Sequence, residues 1–68
     1  MTTYTLTAEL NGKIEATPIE AYSDNDAMMG AIAKIMNRAA ENPSGPWGKG
    51  EIRLTNEAGE LIESMPAK

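Results

Sequence analysis

The chain has 68 residues, one domain near the lower size limit for folding without a staple. It contains no Cys and no His, which excludes a disulfide framework and removes the common zinc ligands, the commonest general base and the thiol nucleophile. Ten acidic against six basic residues leave a net charge of −4, the wrong balance for gripping a phosphate backbone or an anionic membrane surface.

The first predicted element is a strand. From Thr3 to Leu10 the chain alternates without error, with Tyr4, Leu6, Ala8 and Leu10 on one side and three Thr and Glu9 on the other. Period two in a Thr- and Tyr-rich segment predicts a half-buried strand. Asn11-Gly12 follows, both residues tolerating the positive φ of a two-residue hairpin turn. The return strand runs from Lys13 to about Tyr22. A two-residue turn pairs Leu10 with Lys13 and Tyr4 with Ile19, which puts Ile19 and Ala21 on the core face but Ile14 and Ala16 on the Thr face. The apolar phase changes at Thr17-Pro18, and a bulge or a longer turn is the expected remedy. Pro18 has no N–H to give to a ladder, so this is expected to be an edge strand.

A helix is predicted next, over about 24–41. Ser23 is placed to cap it, Asp26 three residues later approximates a capping box, and two early Asp complement the positive helix end. The helix stops before Pro43, because the residue preceding a proline avoids the α region. At about 100° per residue, Ala31, Ile35, Met28, Ala39 and Ile32 form a central stripe expected to be core. Met29, Ala33, Met36 and Ala40 lie beside it. The combined apolar arc of roughly 200° is twice the width of an ordinary surface-helix stripe. The Met flank therefore needs a cover. The loop after the helix supplies one if Trp47 folds back over Met36, and a partner supplies the other. Gly30 lies on the polar side and has no evident role.

Residues 42–50, Asn-Pro-Ser-Gly-Pro-Trp-Gly-Lys-Gly, are the densest run of chain-breakers and are predicted to be a loop. They hold the one Trp of a chain without Phe. Two destinations stay open for Trp47: an anchor displayed to a partner beside Pro46 and Lys49, or the missing large core residue. A second hairpin follows over about 51–64. Ile52 and Leu54 share a face and Glu57-Ala58-Gly59 turns the chain, with Gly59 in a left-handed conformation. In that register Leu54 opposes Ile62 and Arg53 opposes Glu63. Met65 to Lys68 is expected to fray.

The order is β-β-α-β-β over a single domain, residues 1–68. It predicts an α+β fold, a four-stranded, mainly antiparallel sheet with one helix packed on one face. Strand order is not determined by the pattern.

No constellation for catalysis is visible. Ser23, Ser44 and Ser64 have no motif around them, and Glu57, Glu60 and Glu63 read as a solvated hairpin face. Asp24-Asn25-Asp26 resembles the start of a calcium loop but lacks the Gly and the distal Glu. Gly48-Lys49-Gly50 precedes a strand rather than a helix and lacks the Ser/Thr of a phosphate loop. The expectation is accordingly a non-catalytic protein-binding module with no cofactor and no metal. Its candidate contact residues are Trp47, Pro46, Lys49, Met29, Met36, Ala33 and Ala40. Tiny acidic chains of this kind are what phage and mobile-element genomes carry to bind or inhibit a host protein. The alternative is a homo-oligomeric assembly protein, most simply a homodimer; a small-ligand binder is the weakest reading, since one helix on a small sheet encloses little volume. Nucleic acid is not an expected partner. Without a basic, apolar leader or an apolar run of about 20 residues, the expected location is the cytoplasm, the host's if the chain is phage-encoded.

Overall fold

A computed structural model of the chain describes residues 1–66. In order they form β1 (Thr2–Leu10), β2 (Lys13–Ala21), α1 (Asp24–Glu41), a one-turn helix α2 (Pro46–Lys49), β3 (Glu51–Thr55) and β4 (Leu61–Pro66). The strands make one antiparallel sheet in the order β2-β1-β3-β4. The α+β architecture and the edge position of β2 follow the expectation from sequence. β2 and β3 both pair antiparallel to β1, so they run the same way and the link between them must travel back along the sheet. An 18-residue helix rises about 27 Å, close to the length of the nine-residue β2 at about 3.3 Å per residue. No helix among the described residues is long and apolar enough to cross a membrane.

The first hairpin turns at Asn11 (φ 53°) and Gly12 (φ 82°), both left-handed, as a two-residue turn demands. Pairing then runs without interruption from Leu10↔Lys13 to Thr2↔Ala21. The bulge expected at Thr17-Pro18 does not occur. The apolar phase change is absorbed differently: Ile14 is left 61% exposed on the outer face, while Glu15 and Thr17 turn to the core face, Thr17 buried opposite Leu6. Glu15 finds a donor there, described below.

The bulge lies instead in the second hairpin. Gly59 (φ 83°) and the predicted three-residue turn are present, with Asn56 Oδ1 accepting from Ala58 N at 3.0 Å and Glu60 N at 2.9 Å. Thr55 pairs with Leu61, but Leu54 then pairs with Glu63, and Ile62 is the extra residue. Leu54 opposite Ile62 and Arg53 opposite Glu63 are thus corrected: Arg53 faces Ser64 and contacts Glu51 and, at 3.6 Å, Glu9. The physical reason is spacing. Ile62 and Met65 are three apart and would fall on opposite faces of a regular strand; the bulge turns both toward the core, against which they pack half-covered. Met65 therefore belongs to β4 and not to a frayed end. Of that expected end, Ala67 and Lys68 lie outside the described residues.

α1 begins as predicted: Ser23 Oγ accepts from Asp26 N at 3.2 Å, with Asp24 and Asp26 in the first turn. Its contact with the sheet runs through Ala27 and Ala31, both fully buried. Two alanines on the contact line bring the helix close to β2. This rotates Ile32, expected in the core stripe, outward to 51% exposure. The core is completed by Tyr4, Leu6 and Ala8 of β1, Ile19 and Ala21 of β2, Ile52 and Leu54 of β3, and Trp47.

Candidate protein-binding surface

The segment 42–50 is not a plain loop. Pro46, with its φ pre-set and its missing N–H harmless in a first turn, starts the helical turn α2, whose end is closed by Gly50 N donating to Pro46 O at 2.8 Å. A Cβ on Gly50 would run into the carbonyl oxygens of Glu9 and Pro46, so the tight seat of α2 on β1 requires glycine there. This turn places Trp47 in the core at 4% exposure. Its indole Nε1 donates to Glu15 Oε1 at 2.8 Å, and the Arg38 guanidinium stands over the ring, 5.8 Å from its centroid. Of the two destinations open to Trp47 the inward one is taken. Pro46 is buried with it, and only Lys49 of that trio is exposed. Trp47 and Pro46 are therefore not displayed as anchors, because α2 packs their side of the segment against α1, β1 and β3.

Trp47 does not cover the Met flank either. Met29 is 64% exposed and Met36 67% exposed, with Ala33 and Ala40 exposed beside them. Ile32 joins them, missed as a surface residue because it falls inside the apolar arc. These five residues recur at intervals of three and four and cover one face of α1, a little over 16 Å long at 1.5 Å per residue. No charged residue interrupts them. The surface is thus four of the seven expected contact residues plus Ile32.

The remaining features are weaker. An open cleft of about 380 Å³ lies between the β1–β2 turn and segment 42–46, lined by Leu10, Lys13, Asn42, Ser44 and Pro46. It brings together one cation and three short polar side chains, Asn11, Asn42 and Ser44, few convergent groups for a small ligand. Among the described residues no group of three or more acidic side chains is clustered to hold a metal ion. Tyr4 has a perturbed titration: its hydroxyl donates to Asp24 Oδ1 at 2.7 Å, and that bond, then burial, then the charges of Asp24 and Glu57 raise its pKa above the usual tyrosine value. This contact ties β1 to the start of α1. The outer sheet face is mainly polar, with Thr3 and Thr5 exposed and the Arg53 cluster with Glu9 and Glu51 at its β1–β3 side, and Ile14 and Leu61 are its exposed large apolar residues among those described.

No known family model, curated protein or solved structure matches the chain.

Proposed function

We propose that this chain is a small non-catalytic protein-binding module whose contact surface is the apolar face of α1 formed by Met29, Ile32, Ala33, Met36 and Ala40. The observation that carries the reading is that three large side chains on one helix face stand 64%, 51% and 67% exposed with no charge among them. An isolated exposed Leu or Met needs no explanation, but a contiguous apolar stripe on a small soluble chain marks a contact surface. Methionine suits the task, since its unbranched, polarisable side chain adapts to the partner's shape. Size, acidic balance and the lack of a catalytic constellation support an accessory role of the phage or mobile-element kind, acting on a host protein in the cytoplasm.

The test is quantitative affinity capture with the wild-type chain and with Met36→Asp, each verified as folded by circular dichroism. Placing a carboxylate in a desolvated apolar contact costs several kcal/mol unless it is paired, so a specific partner is expected to be lost by at least tenfold with the variant. Equal recovery of every captured protein by both forms would refute the reading.

A further inference from the structure

The helix face is not the only incompletely covered surface. A helix is about 10 Å across and strands are about 4.8 Å apart, so one helix covers about two strands of four. α1 lies closest to β2 and to α2, and α2 lies against β1 and β3; β4 has its close backbone neighbour in β3. On the helix side of β4, Ile62 and Met65 pack against the core yet stay half-covered, and Glu63 is half-buried between them. Leu61, 57% exposed at the strand's start, pairs with Thr55 and so belongs to the outer face.

The distribution of apolar residues around α1 matches this gap. Gly30 marks the flank toward β2, because a Cβ there would sit 3.5 Å from Ile19 Cγ2. That flank carries the polar residues Asp26, Lys34 and Asn37. The opposite flank, turned away from β2, carries Met28, Ile32, Ile35 and Ala39, and the top of the helix carries Met29, Ala33, Met36 and Ala40. A helix that is apolar on its underside, on one flank and on top is built to lie inside a layer between two sheets, beside another helix. β4 thus has room for a helix on its inner face, and the top of α1 has room for a sheet.

We propose that this face is occupied by a second copy of the chain, in a twofold arrangement where two sheets enclose two α1 helices side by side. The top of each α1 lies on β3 and β4 of the partner. The contact is self-complementary, as a twofold interface must be. The lengths agree: the α1 stripe spans about 16 Å and the six residues of β4 about 20 Å. The area is sufficient as well. The stripe and the half-covered residues on the helix side present on the order of 500–600 Å² per copy, and two copies bring together roughly 1,000–1,200 Å², the lower range of specific interfaces. The inference rests on the reading of the α1 face as a contact surface and names its occupant.

The test combines sedimentation over a wide concentration range with cross-linking of single-cysteine variants, which the cysteine-free chain makes clean. The wild type is expected to sediment as a dimer, and Met36→Asp to weaken self-association about 100-fold. A 1:1 mixture of Ala33→Cys and Glu63→Cys chains is expected to give a mixed product with a short bis-maleimide. If Met36→Asp fails to fold, the wild-type thermal midpoint decides, since it rises with concentration for a dimer and stays constant for a monomer. A wild-type chain that is monomeric near millimolar concentration overturns the proposal. So does a dimer that is indifferent to Met36→Asp, or one that gives no 33–63 product. A strict monomer that still loses a captured protein with Met36→Asp overturns the second copy alone and leaves the binding-module reading standing.

Discussion

At Trp47 the ring takes the Arg38 guanidinium on its face and directs its N–H at Glu15, so one side chain joins α2 to both α1 and the edge strand β2. The hydrogen bond explains why an acid is tolerated on the core face of β2: a buried indole N–H needs an acceptor, and Glu15 is the residue the register turns toward it. Trp47→Ala removes the largest side chain of the core and is expected to cost about 3–5 kcal/mol. That equals the stability such a small core supplies, so the variant should be largely unfolded by circular dichroism at 25 °C. Tyr4 makes a second prediction. Its phenol pKa is raised in the folded chain, by the hydrogen bond to Asp24 first, then by burial and the nearby carboxylates. The neutral phenol is the form the fold favours, so its contribution is fully present below the usual tyrosine value near 10 and is lost as the pH rises through the higher folded value. Denaturation midpoints measured across alkaline pH should fall for the wild type, and the fall should be smaller for Tyr4→Phe.

At the scale of elements, α1 shows propensity and packing pulling in different directions. Gly30 costs a helix interior about 1 kcal/mol relative to Ala, and nothing near it demands a glycine: its backbone is helical and a Cβ would meet Ile19 at ordinary contact distance. Gly30→Ala is expected to stabilise the chain by about 0.5–1 kcal/mol, read as an increased urea midpoint with unchanged slope. Strand and helix limits were legible in sequence because alternation, the Asn-Gly turn and the Ser23 cap are local signals. The bulge was not legible where it occurs: the apolar phase error of β2 drew the expectation to Thr17-Pro18, and regular pairing was expected in the second hairpin. Both β2 and β4 carry an apolar phase error, and local pattern cannot say which strand bends and which leaves a residue outside. The position of each in the sheet decides: β2 meets Trp47 through Glu15, whereas β4 has only Ile62 and Met65 to offer the core.

Over the whole molecule, the core is narrow. Among the described residues, only Leu6, Ile52 and Leu54 are large side chains with essentially no exposure, and four of the ten buried apolar residues are alanines. Leu54→Ala is expected to cost about 2–5 kcal/mol, enough to abolish the cooperative transition in a thermal melt at low micromolar concentration. The same shortage of buried area gives the exposed α1 face its meaning. Met29, Ile32 and Met36 are apolar surface that a single copy leaves in water, and Met36→Asp tests this in both capture and sedimentation.

By itself the amino-acid sequence determined the order of the four strands and α1, the Asn-Gly turn, the helix cap, the edge position of β2 and the excess of apolar surface on α1. Each depends on residues within a few positions of one another, where backbone sterics and side-chain period act directly. Only the tertiary structure decided that Trp47 points inward, that Ile32 points outward and that the bulge belongs to β4. These outcomes depend on which distant surfaces meet. The rotation of α1 is set by Ala27 and Ala31 against the sheet, and the indole is held by partners 9 and 32 positions away in the chain.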